Sequence, residues 1–76
     1  MEKIMLPFGG RLRELRNDRK IKQKEMAEFL GCTDRNYQKM EYGEINVPAL
    51  TLIKLADYFD VSLDYLVGRS EDRRRF

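Results

Sequence analysis

The chain has 76 residues, 42% hydrophobic and 37% charged, with a net charge of +2. That length holds one small core, and the composition is that of a soluble globular domain rather than a disordered chain. Length excludes two-domain enzymes and large cofactor folds, and hydropathy excludes membrane-spanning chains, because no apolar run approaches the roughly 18–20 residues a spanning helix needs.

Residues 1–9 carry one Lys and no long apolar stretch, so they read as an N-terminal arm and not as a signal peptide. The spacing predicts a first helix from about Gly10 to Arg19, with Leu12 and Leu15 on one face. A second follows from Gln23 to Leu30, striped by Met26, Ala27 and Leu30 and ended by a left-handed cap at Gly31. A third starts after Thr33, whose hydroxyl suits an N-cap, and stops at Gly43. Only Tyr37 and Met40 form an inward pair there, which leaves Asp34, Arg35, Asn36, Gln38 and Lys39 outward. The fourth, from Pro48 to Phe59, is apolar over most of its circumference and is expected at the centre of the core. The fifth runs from Ser62, an N-cap, to Val67 and ends at Gly68. Residues 10–68 thus form one all-α, five-helix domain, followed by a charged, frayed tail over 69–76.

Charge divides along the chain. From Arg11 to Lys39 the net is +4, from Met40 to Gly68 it is −4, and the tail contributes +2. A basic front and an acidic back suit a polyanion bound on one side.

The chain has no His and one cysteine, Cys32. Histidine metal sites, Ser-His-Asp triads and Cys-His pairs are therefore absent, one cysteine makes no structural zinc site, and no carboxylates pair in a catalytic arrangement. No enzyme activity, metal or cofactor is expected. A lone cysteine without an export signal points to the cytoplasm, and Cys32 reads as a buried small residue after the turn.

A helix ending at Gly31, a three-residue turn and a short helix with polar outward residues make a helix-turn-helix, whose second helix lies in the DNA major groove. The runs Arg11–Arg16, Gln23–Gly31, Lys39-Met40-Glu41-Tyr42-Gly43-Glu44, Leu52–Ala56 and Val61–Gly68 resemble, in order and spacing, the Xre/Cro-type family of phage-repressor-like helix-turn-helix domains. The resemblance covers roughly Gly10 to Gly68. It implies a compact five-helix phage-repressor-like fold and sequence-specific binding of double-stranded DNA. It also implies a homodimer on a palindromic operator, most often as a repressor.

Carried over residue by residue, Gln23 contacts phosphate and braces the third helix, beside Lys22. Asp34, Arg35 and Lys39 read bases, with Thr33, Asn36 and Gln38 available for backbone or base edges. Tyr42 and Asn46 fall where phosphate contacts are common. Arg16 pairs with Glu41 as architecture. Asp34 stands where the family often has a neutral or basic residue. Tyr65, Leu66 and Val67 are weighed as a dimer contact against simple internal packing, and the Arg73-Arg74-Arg75 cluster as a solubilising tail against phosphate attraction. A protein-interaction module of the same fold, antitoxin-like and controlled by a protein partner, is the alternative reading, and Asp34 favours it. The tail also resembles the start of a linker, as in a piece of a longer regulator.

Overall fold

The computed structural model describes residues 6–75. Five helices follow one another: α1 (Leu6–Asp18), α2 (Gln23–Leu30), α3 (Asp34–Glu41), α4 (Ala49–Phe59) and α5 (Leu63–Leu66). No strand occurs among the described residues, and the all-α, five-helix expectation is met. α1 packs on α3 and α5, α2 on α3, and α4 on α5.

α1 begins four residues earlier than spacing predicts, so residues 6–9 open the helix; residues 1–5 of the expected arm lie outside the described residues. Pro7 suits a first helical turn. Phe8 joins Leu12 and Leu15 in an i, i+4, i+7 stripe, and all three are buried. Gly9 and Gly10 are poor helix formers, but Gly9 has a packing reason. A Cβ there would lie 2.5 Å from the Glu41 carbonyl oxygen and 2.8 Å from that of Met40. Only a glycine lets α1 cross the end of α3 this closely.

The α2–turn–α3 unit follows its local signals. Gly31 is left-handed, with φ 70°, and its N–H closes the C-terminus of α2. The Thr33 hydroxyl accepts from the Asn36 N–H at 3.1 Å, which caps α3. Ala27 is fully buried where α2 meets α3. Cys32 is only partly buried, packed against the core edge. Tyr37 and Met40 do face inward.

α4 departs from expectation. Pro48 is its N-cap and not its first residue. Leu55, Ala56 and Phe59 are buried, but Leu50 is 81% exposed and Ile53 44% exposed. The helix is therefore peripheral, with one face on the core and an apolar face turned outward. Tyr58 stacks on Phe29 with centroids 4.5 Å apart. Ser62 caps α5 by accepting from the Tyr65 N–H at 3.0 Å. Tyr65 and Leu66 are buried within the domain's own core, while Val67 is only partly buried.

The tail is not frayed over residues 69–75. The Ser62 N–H donates to the Arg73 carbonyl at 2.9 Å, and the Ser62 hydroxyl to the Asp72 carbonyl at 3.1 Å. Arg11 on α1 donates to the Tyr65 and Ser70 carbonyls and pairs with Glu71. Arg73 pairs with Glu14 and Asp18, and Arg75 with Asp57 and Asp60. Each exposed pair adds little by itself; the backbone bonds and Arg11 carry the docking.

Candidate nucleic-acid interface

α3 divides into two arcs. At about 100° per residue, Asn36, Tyr37, Met40 and Glu41 fall on one side and Asp34, Arg35, Gln38 and Lys39 on the other. Burial follows the division: Tyr37, Met40 and Glu41 are buried, while Asp34, Arg35 and Gln38 are exposed and Lys39 is partly so. The outward arc has two columns one turn deep. Arg35 and Lys39 form a cationic column, and the Asp34 carboxylate and the Gln38 amide a second.

These side chains are uncommitted. Asp34, Arg35, Gln38 and Lys39 make no hydrogen bond or ion pair within the described residues, and neither do the side chains of Lys22, Asn36 and Asn46. Other arginines are spent on the protein itself. Arg11, Arg16, Arg73 and Arg75 are paired as ions. Arg19 donates to the Tyr58 and Phe59 carbonyls at 3.1 and 3.0 Å and so closes the C-terminus of α4.

Beneath the outward arc lies a buried junction. Glu41, at 4% exposure, is the one buried charged residue among those described. Its Oε2 accepts from Arg16 Nε at 2.6 Å, and its Oε1 from Arg16 Nη2 and from Gln23 Nε2, both at 3.1 Å. Arg16 also donates to the Ile21 carbonyl at 2.9 Å. The Arg16–Glu41 pair thus ties α1, the α1–α2 loop, the start of α2 and the end of α3. Burial pushes the Glu41 carboxyl up, but the hydrogen bonds from Arg16 and Gln23, with the Arg16 charge and the Tyr37 hydroxyl close by, outweigh it and hold the group below the usual carboxylate range. The Tyr37 hydroxyl is buried against this junction without a hydrogen bond of ordinary geometry. Burial and the adjacent carboxylate raise its pKa far above the usual phenol value.

Of the sequence-predicted residues, the structure sets Asp34, Arg35, Gln38 and Lys39 together on one arc. Thr33 is committed to capping, and Gln23 to Glu41 through one amide proton. Lys22 is exposed at the N-cap of α2. Tyr42, 52% exposed, closes α3, and Asn46 is exposed in the loop that follows. No side chain caps α2 or α4, whereas side chains cap α3 and α5. The first-turn amides of α2, beside Lys22 and Gln23, therefore remain available to an anion. Spacing does not single out Lys24, yet it is exposed and unpaired in that same turn; its place one residue after Gln23 was the available signal. Among the described residues no cluster of His, Cys, Asp and Glu could hold a metal ion, and no helix is long and apolar enough to cross a membrane.

Comparison with known proteins places the chain among helix-turn-helix regulators. The helix-turn-helix family profile matches residues 12–66. The chain is 40% identical over 60 residues to the SPbeta prophage-derived HTH-type transcriptional regulator YonR of Bacillus subtilis, covering 79% of this chain and 56% of that protein. It is 36% identical over 66 residues to the HTH-type transcriptional regulator ImmR of Bacillus subtilis, covering 87% of this chain and 52% of ImmR. It is 33% identical over 64 residues to the cryptic phage CTXphi transcriptional repressor RstR of Vibrio cholerae, covering 84% of this chain and 58% of RstR. The chain spans about half the length of the curated relatives it matches. These relatives are named as transcriptional regulators or repressors and not as enzymes. No solved structure matches the chain.

Proposed function

Because the chain belongs to the Xre-like helix-turn-helix family, we propose that it is a sequence-specific double-stranded DNA-binding regulator, acting in the cytoplasm as a transcriptional repressor. Two copies bind a palindromic operator, each with α3 in the major groove and the half-sites about one helical turn apart. The observation that carries this reading is the outward arc of α3. Its side chains are unpaired, while most arginines elsewhere are spent on the fold.

Arg35 and Lys39 offer donors to the O6 and N7 acceptors of guanine. Lys22 and Gln23, with the uncapped amides of α2, hold phosphate and fix the register, and Asn36, Tyr42 and Asn46 add backbone contacts. Gln23 gives one amide proton to Glu41 and keeps the other for a phosphate oxygen, so the group that grips the backbone is the group that positions α3. A dimer seated over a promoter blocks polymerase.

A second reading, a protein-interaction module of the same fold, is favoured by the exposed Leu50 and Ile53 on α4. Selection of sites from a random duplex pool separates the two. An inverted repeat that survives near-physiological salt supports the repressor. Motif-free binding that vanishes with salt, as counterion release alone would produce, supports the interaction module.

A further inference from the structure

Asp34 is an anion on a surface assigned to a polyanion. It is the first residue of α3, exposed, with no partner among the described residues. A carboxylate there repels phosphate, so it works against general affinity and is no part of a basic clamp. The Thr33 hydroxyl caps the helix by accepting from the Asn36 N–H, and the Asp34 carboxylate itself accepts from no amide among the described residues. It shares its column with Gln38, one turn along, and stands beside the cationic column of Arg35 and Lys39.

In the major groove the N-terminal residues of the recognition helix meet base edges. A carboxylate only accepts hydrogen bonds. Of the four bases, cytosine alone shows a donor, its N4 amino group, with no acceptor beside it. Thymine shows O4, guanine O6 and N7, and adenine places N7 next to its amino group.

We propose that Asp34 is a specificity-determining residue that reads one cytosine in each half-site and rejects the other bases by leaving its carboxylate against their acceptors. The inference rests on the operator-binding reading above. It adds discrimination in place of affinity: Asp34 weakens binding to every wrong sequence more than it strengthens binding to the right one.

The test is selection of sites from a random duplex pool with the wild-type chain, Asp34→Ala and Asp34→Asn, followed by titration of single-base variants of the selected site and of a scrambled duplex. Wild type is expected to require cytosine at one half-site position, with a loss of roughly 5- to 150-fold on changing that pair. Asp34→Ala is expected to erase the preference there alone, keep the rest of the motif and bind scrambled DNA more tightly. Asp34→Asn is expected to shift that position towards adenine, whose N6 and N7 suit an amide. An unchanged motif in Asp34→Ala overturns the inference. So does a lowered melting temperature with unchanged base preference, which would leave the carboxylate only complementing the helix dipole. A wild-type chain that selects no motif overturns the operator reading itself and takes this inference with it.

Discussion

Arg16 and Glu41 meet across 25 residues of sequence in a two-pronged ion pair, Nε to Oε2 at 2.6 Å and Nη2 to Oε1 at 3.1 Å. Side-chain exposure is 11% for Arg16 and 2% for Glu41, so neither charge is well hydrated. Removing one partner of such a pair leaves the other buried and uncompensated, at about 3–5 kcal/mol. For a chain this small, that is much of the total stability. Glu41→Ala is expected to lower the melting temperature by at least about 12 °C, from roughly 4–8 °C per kcal/mol. Thermal denaturation followed by circular dichroism checks this, and a change of only a few degrees would remove the architectural role of the pair.

The same carboxylate sets an acid limit. Its hydrogen bonds hold its folded pKa below the ordinary value of 4.5, so the unfolded chain binds its proton more readily than the folded chain does. The stabilisation is therefore complete above the ordinary carboxylate range and is lost as pH falls through that range towards the folded pKa. Melting temperatures across pH 7 to about 3 are expected to fall steeply at the acid end in the wild type. Glu41→Gln is expected to start lower and fall less. Parallel curves would mean that other carboxylates carry the acid sensitivity.

Two adjacent glycines in α1 should respond in opposite directions. A Cβ on Gly9 meets the backbone of Glu41 and Met40 at 2.5–2.9 Å, whereas one on Gly10 meets nothing within 4 Å. Gly9→Ala is expected to destabilise by about 1–3 kcal/mol through overpacking against backbone that has little room to move. Gly10→Ala is expected to stabilise by about 0.5–1 kcal/mol. Denaturant midpoints of the two variants compare them directly; equal shifts of the same sign would contradict the close α1–α3 crossing.

The features legible in the sequence were those set by neighbours. The caps at Gly31, Thr33 and Ser62 follow from residue type and position alone, and the Tyr37 and Met40 pair follows from helical spacing. The Arg16–Glu41 pair came through family resemblance. What stayed hidden depended on contacts distant along the chain. The start of α1 was obscured by Gly9 and Gly10, although Phe8 sits four residues before Leu12. α4 is apolar nearly all round, and no local signal tells which face is left outward. The tail reads as free charge until its arginines are set against Glu14, Asp18, Asp57 and Asp60. The outward arc of α3 could be named residue by residue, but that its side chains are unspent while Arg11 and Arg19 are not is visible only in the fold.

Arg35 gives the cleanest separation of binding from folding. Its side chain is exposed and makes no hydrogen bond or ion pair within the described residues. Arg35→Ala is expected to leave the melting temperature unchanged, weaken operator binding by about 1–3 kcal/mol and relax preference at one base position. Fluorescence anisotropy on the selected duplex and its single-base variants measures both effects. Unchanged affinity with an unchanged motif would take Arg35 out of base recognition.

The central claim is that α3 presents its outward arc to DNA, and titration of isotope-labelled protein with duplex DNA, read from amide and side-chain chemical shifts, tests it most directly. The account predicts that the large changes fall at Lys22, Gln23, Asp34, Arg35, Gln38, Lys39, Tyr42 and Asn46. Changes centred instead on Leu50 and Ile53 of α4, or on the arginines of the tail, with α3 undisturbed, would contradict it.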